Sequence, residues 1–362
     1  MELETFFSPD YAAARERFRD AARAAGASLD ALGIEARGPR QEPLTIDIAR
    51  LGARDARSVL LHSSGLHGVE AYAGAAVQLA ALEGLPAPPS GCALVLAHVL
   101  NPYGMAWSRR ANENNVDLNR NFLRRGERWE GAPALYLRLN PLLNPPTPPD
   151  ADGFLLRLAQ LALRHGLQAP RQAIAEGQYE FARGLFYGGK ALEKGPRLYL
   201  DWLHRNLAPA SYVFALDLHT GLGRRGKEML ILEPGVNATP AAGLAQALGR
   251  KLIDPATGQA YRIRGGMGGV LPQTLPWARI DFVLQEIGTC SAVTVLHALR
   301  EENRLHHHVE ADSTHPNITH PAKQTLCEAL NPASLDWRRR AVGHGLSLLR
   351  AAAAWTFQAR EA

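Results

Sequence analysis

Residues 58–70, SVLLHSSGLHGVE, are the stretch from which the fold can be read. The apolar run Val59, Leu60, Leu61 suits a buried strand. The small residues after it break into a loop, and the loop delivers His67 and Glu70 into the first turn of an expected helix. Positions i and i+3 share one face of a helical turn, so an imidazole nitrogen and a carboxylate oxygen can converge there on one cation. His-x-x-Glu is common by chance, and alone it reads as a capping carboxylate beside a loop histidine. The pair gains meaning only from the rest of the chain.

On the N-terminal side, SPDYAAARERFRDAARAAG predicts an amphipathic helix capped by Ser8, with Pro9 at the first helical position and Gly26 at the end. Residues 44–51 (LTIDIARL) alternate apolar and polar side chains. With 58–62 following a short charged turn, the two predict a hairpin. On the C-terminal side, 69–83 (VEAYAGAAVQLAALE) predicts a helix whose small residues pack closely on a sheet, ended by PAPPSG. Residues 93–100 (ALVLAHVL) read as a strand covered on both faces, discharging into a long polar loop, NPYGMAWSRRANENNVDLNRNF.

Residues 123–209 are proline-dense and then helical, and read as a helical insertion within a single domain spanning 1–362. Two further buried strands are expected at 212–217 (YVFALD), ending at His219, and at 280–285 (IDFVLQ), ending at Glu286. Helices at 292–303 and 337–358 close the chain. Strands alternating with helices predict an α/β fold: a central mixed, largely parallel sheet flanked by helices. Ligands in such sheets bind beyond the carboxyl ends of the strands.

With 362 residues, 46% hydrophobic and 21% charged, the composition is that of an ordinary globular chain without repeats or low-complexity tracts. The net charge of +5 is spread along the chain without a dense basic block, so no nucleic-acid partner is expected. Three cysteines (Cys92, Cys290, Cys327) without CxxC spacing indicate neither a disulfide framework nor a thiolate zinc site, and a cytoplasmic location is expected. No secretory leader or run of about 18 apolar residues is found, so no membrane spanning is expected.

Four strand ends thus present His67 with Glu70, the loop from Arg110 to Asn121, His219, and Glu286. Neighbouring parallel strands lie within about 5 Å, so such ligands can meet at one point. Two His and one Glu make a three-ligand zinc set with an open position for water. A nearby carboxylate, here Glu286, takes the water's proton and passes it to the leaving amine.

The segments HGVE, NPYG, RRANENNVDLNRNF, LDLHTG and QEIGT, in this order, resemble the zinc carboxypeptidase superfamily, most closely a bacterial branch of unknown function. The resemblance covers about 58–291 apart from the insertion, and five motifs agreeing in order and context make it specific. It implies a phosphorylase/hydrolase-like fold with one zinc ion per chain, held by His67, Glu70 and His219. Glu286 matches the general acid/base, and Asp117 matches the carboxylate that orients the first zinc histidine. Asn119 and Arg120 match the pair that grips a substrate's terminal carboxylate. Arg110, with Arg109 beside it as the alternative, matches the residue that stabilises the oxyanion. No residue is matched to the family's substrate-capping tyrosine.

The resemblance implies a hydrolase of amide bonds next to a free carboxylate, with a small peptide as substrate. A deacylase of N-acyl amino acids, like succinylglutamate desuccinylase and aspartoacylase, is the second reading, and a non-catalytic binding protein on the same fold the third. His62 and His98, in apolar strands, read as core histidines. His306, His307 and His308, with His315 and His320 downstream, read as an exposed loop rather than a second metal site. Asp217, two residues before His219, reads equally as a strand-end residue or as a partner of that histidine. Cys290 has no basic group placed to activate it.

Overall fold

The computed structural model describes residues 2–166, 168–257, 260–308 and 317–358. Among these residues, eight strands form one sheet: β1 (Ser28–Arg37), β2 (Pro43–Gly52), β3 (Ser58–Ser64), β4 (Cys92–His98), β5 (Tyr212–Gly221), β6 (Glu228–Leu232), β7 (Leu252–Ile253) and β8 (Arg279–Gly288). Their order is β1-β2-β4-β3-β5-β8-β6-β7. The four central strands β4, β3, β5 and β8 run parallel, while antiparallel pairs flank them. The sheet is the mixed, largely parallel one expected.

Among the described residues, twelve α-helices accompany the sheet: α1 (Tyr11–Ala24), α2 (Ala71–Gly84), α3 (Pro102–Ala106), α4 (Ala134–Leu143), α5 (Phe154–His165), α6 (Gln168–Glu176), α7 (Lys194–Asn206), α8 (Ala241–Leu248), α9 (Leu271–Thr274), α10 (Ala292–His308), α11 (Pro321–Leu330) and α12 (Leu335–Gln358). Alternation along each central strand sends side chains to opposite faces. Leu60, Leu94, Phe214 and Leu216 therefore pack with α1, α2 and α12, whereas Val59, Leu61, Val95 and Val213 pack with Tyr199, Trp202 and Leu203 of α7. Burying a side chain such as Phe214 contributes about 1.5–3 kcal/mol. Because both faces are covered, the central strands read as unbroken apolar runs. Among the described residues no helix is long and apolar enough to cross a membrane.

The structure revises several local expectations. β2 and β3 do not form a hairpin: β2 pairs antiparallel with β1 on one side and β4 on the other. β1 is an edge strand with no fully buried residue, so it carries no apolar run of the kind that marks the central strands. Once β1 and β4 occupy both edges of β2, β3 is left to the parallel centre. Helix α1 starts after Asp10, whose Oδ1 accepts from the Ala13 N–H at 2.8 Å, so Asp10 rather than Ser8 is the cap and Pro9 lies outside the helix. His306 to His308 form the last turn of α10 and are half-buried, not an exposed loop, while His315 lies outside the described residues.

His62 and His98 are fully buried beneath the sheet and share one partner. Gln78 of α2 reaches His62 Nδ1 at 3.2 Å through Nε2 and His98 Nδ1 at 3.1 Å through Oε1. His98 also stacks on Phe18, with ring centroids 4.4 Å apart.

Candidate metal centre and active-site cleft

His67 ends the loop after β3, and Gly68–Glu70 form a 3-10 turn rather than the start of an α-helix. Residues i and i+3 eclipse one another in a 3-10 turn, which brings His67 Nδ1 to 2.9 Å from Glu70 Oε1. The turn is tethered to the polar loop: the Gly68 N–H donates to Arg110 O at 3.2 Å and the Val69 N–H to Arg109 O at 2.8 Å. A side chain at position 68 would meet the Gly104 backbone at 2.1 Å, so the close approach requires glycine there.

His219 and Glu286 lie within strands, not in the loops expected after them. β5 and β8 extend to Gly221 and Gly288 by pairing with each other, with His219 opposite Glu286 in register. His219 Nδ1 stands 3.1 Å from His67 Nδ1 and 3.1 Å from Glu70 Oε2. Four-coordinate zinc with nitrogen and oxygen ligands at about 2.0–2.2 Å places its ligand atoms about 3.3 Å apart. All three side chains are buried, and among the described residues they are the one His/Cys/Asp/Glu group clustered tightly enough to hold a metal ion. The donor set therefore fits zinc.

Each imidazole is anchored from behind. Asp117 Oδ1 accepts from His67 Nε2 at 3.0 Å, and Asp217 Oδ2 accepts from His219 Nε2 at 2.7 Å. A proton held on Nε2 leaves Nδ1 with a lone pair facing the centre. Asp217 is itself held by the Ser63 hydroxyl, which donates to Oδ1 at 2.6 Å. Burial opposes the charge on Glu70, but His67, His219 and Arg110 outweigh it and hold the carboxyl well below its usual range. Burial, reinforced by the negative charge of Glu70, raises the Glu286 carboxyl to about 7. Glu286 Oε1 accepts from the Leu222 N–H at 2.7 Å.

These groups open into a cleft of about 1080 Å³ that is also lined by Arg110, Asn119, Arg120, Phe186 and Tyr261. Arg110 donates to Asp117 Oδ2 and to Glu70 Oε1, each at 3.0 Å. Arg109 points elsewhere, into a buried cluster with Glu302 and Asn115, both at 2.8 Å. Of the two arginines, only Arg110 reaches the cleft. Arg120 is fixed by backbone carbonyls: Nε donates to Ala175 O at 2.9 Å, Nη2 to the same oxygen, and Nη1 to Asn119 O at 2.8 Å. One N–H remains on each terminal nitrogen. Gly265, at φ 73°, lies so close that a side chain there would meet Arg120 O at 2.3 Å.

The structure thus brings all eight expected site residues to one place. Sequence reasoning left Asp217 undecided and did not single out Phe186, Tyr261 or Glu233, which also line the cleft or support it. Asp217 had a usable signal, since an Asp-x-His pair on a strand shares one face. The others come from segments whose approach to the site depends on the tertiary fold. Glu233 is half-buried against Arg124, 3.7 Å away, and partial burial raises its carboxyl to about 7.

An α/β sheet with a His–Glu–His cluster at the ends of its parallel strands defines a chain with a candidate metal centre. The chain belongs to the family described as "Protein of unknown function (DUF2817)", whose model matches residues 7–344. No curated protein matches it. Among solved structures it is similar to carboxypeptidase A from Helicoverpa armigera, at 14% identity and a TM-score of 0.49, covering 96% of this chain and 74% of that one. It is also similar to bovine thrombin-activatable fibrinolysis inhibitor, at 10% identity and a TM-score of 0.48, covering 94% and 97%. Murein-tripeptide amidase MpaA from Escherichia coli O157 is similar at 17% identity and a TM-score of 0.39, covering 79% and 94%.

Proposed function

We propose that this protein is a zinc-dependent hydrolase of amide bonds adjacent to a free carboxylate, most simply a carboxypeptidase. The observation that carries the reading is the convergence of His67 Nδ1, Glu70 Oε1 and Oε2, and His219 Nδ1 at 2.9–3.1 Å, with Glu286 in the same cleft. The chemistry zinc supplies at such a site is acidification of a water and polarisation of a carbonyl.

The chain's own residues supply the rest. Asp117 and Asp217 hold the two imidazoles by Nε2, which leaves Nδ1 of each available to hold a metal. Glu286 accepts the proton of the attacking water and delivers it to the nitrogen of the departing amine, a role suited to a carboxyl poised near neutrality. Arg110 faces the oxygen on which negative charge develops. Arg120 offers its two remaining terminal N–H groups to the substrate carboxylate as a planar pair, with Asn119 beside it.

The extent of the cleft, about 1080 Å³, favours a peptide over a compact N-acyl amino acid. The test is metal analysis of the purified protein followed by a panel of free peptides, C-terminally amidated peptides and N-acyl amino acids. Stoichiometric zinc, with cleavage of the free peptides and not the amidated ones, supports the proposal. Cleavage confined to N-acyl amino acids makes it a deacylase, and no zinc with no hydrolysis on adding zinc makes it a binding protein.

A further inference from the structure

Phe186 has a backbone φ of 54°, in the left-handed region that a bulky side chain rarely enters. Such a conformation costs stability, and it persists only where the surroundings enforce it. The enforcement is visible. The Phe186 carbonyl accepts from the Gln178 N–H at 3.0 Å, and the next carbonyl, of Tyr187, accepts from the N–H of Asp117 at 2.7 Å. Positioning of the ring is thereby coupled to the residue that anchors His67.

The strained backbone places an aromatic ring within reach of two cations. Arg110 Cζ lies 5.3 Å from the Phe186 ring centroid and Arg120 Cζ lies 5.7 Å from it. Both distances fall inside the range of about 6 Å over which a ring quadrupole attracts a guanidinium. Hydrogen bonds already tie Arg110 to Asp117 and Glu70 and Arg120 to backbone carbonyls, and the ring adds one attractive contact shared by these two like charges. Phe186 also lines the cleft itself and packs on the apolar cluster containing Leu185, Val69 and Leu299.

We propose that Phe186 is a positioning residue that holds Arg110 and Arg120 apart and aims Arg120 at the carboxylate of the substrate. This rests on the proposed function and deepens it. Phe186 acts through the arginines, so its loss is felt by ligands that carry a carboxylate and not by their neutral analogues.

The test uses the zinc-loaded Glu286→Gln protein, so that no turnover intervenes, with calorimetric titration of hippurate and of hippuramide. Phe186→Leu keeps apolar volume without a π face and weakens hippurate about tenfold, leaving hippuramide within twofold. Phe186→Tyr restores the hippurate affinity. Phe186→Asn weakens hippurate as Leu does, yet raises the unfolding midpoint above that of the Leu variant, because asparagine tolerates left-handed φ. Unchanged hippurate affinity in Phe186→Leu, equal losses for hippurate and hippuramide, failure of Tyr to rescue, or no hippurate binding before position 186 is changed would each overturn the proposal. A protein that cleaves the peptide panel but ignores the ring sinks this inference alone. Hippurate affinity that follows the ring in a protein without hydrolytic activity sinks the hydrolase reading alone.

Discussion

Asp217 Oδ2 stands 2.7 Å from His219 Nε2, the counterpart of the 3.0 Å contact between Asp117 Oδ1 and His67 Nε2. Both imidazoles are hung by the same nitrogen from a buried aspartate, and both turn the other nitrogen to Glu70. Removing such an anchor lowers metal affinity by about 10–100-fold. Asp217→Ala is therefore expected to bind zinc about that much more weakly in chelator competition, with the fold retained by circular dichroism. Unaltered zinc affinity would leave Asp217 a strand-end residue only.

Glu286 contacts none of the three proposed ligands through a hydrogen bond and donates nothing to the cluster. Glu286→Gln should keep stoichiometric zinc while kcat falls by a factor on the order of 10²–10⁴, the usual contribution of a general base. Loss of metal in this variant would reassign Glu286 from base to ligand.

Arg109 and Arg110 are neighbours in sequence with opposite expected phenotypes. Arg109 forms a buried triad with Glu302 and Lys323, whose ammonium lies 2.6 Å from Glu302 Oε1. Burial disfavours the charge on Glu302, but Arg109 and Lys323 hold its carboxyl down at about 2. Arg109→Ala, which leaves that carboxylate half-neutralised, should cost about 3–5 kcal/mol in urea unfolding. Arg110→Ala should lower kcat on the order of 10²–10³-fold with a smaller stability loss. The reverse pattern would exchange their roles.

Burial pulls the pKa of both His62 and His98 down from 6.5 to about 4. The unfolded chain therefore binds more protons than the folded one between these values. The contribution of each histidine is fully present above about pH 6.5, declines as pH falls towards 4, and changes no further below it. At about 1.4 kcal/mol per pH unit, each is expected to cost about 3 kcal/mol across that window. Urea midpoints measured from pH 7 to pH 4 should fall, and His98→Phe should flatten the decline. A slope unaffected by that substitution would place the acid sensitivity elsewhere, in the buried carboxylates.

Gly265 is a backbone test of the carboxylate grip. A side chain there would strike the Arg120 carbonyl, and its φ of 73° strains any other residue. Gly265→Ala should raise KM for free-carboxylate substrates, since Arg120 must shift, while zinc content stays unchanged. Normal KM would show that the loop yields without moving Arg120.

By itself, the sequence determined the central strands and the helices that follow them, because these rest on local pattern, unbroken apolar runs and small-residue loops, while the proposed ligands were legible only from several motifs taken together in order. Partner choice depends on non-local pairing, and so only the tertiary structure decided that β2 joins β1 and β4 instead of β3. It also decided that His219 and Glu286 face each other across paired strands, since the pairing itself lengthens both strands past the points where their apolar runs stop. Which arginine enters the cleft was likewise beyond a local reading: Arg109 and Arg110 are adjacent and alike, and only the buried carboxylate of Glu302, far along the chain, draws one of them away. The ring of Phe186 reached the site for a similar reason, carried there by a segment distant in sequence and held by backbone contacts that leave no mark on the residue pattern.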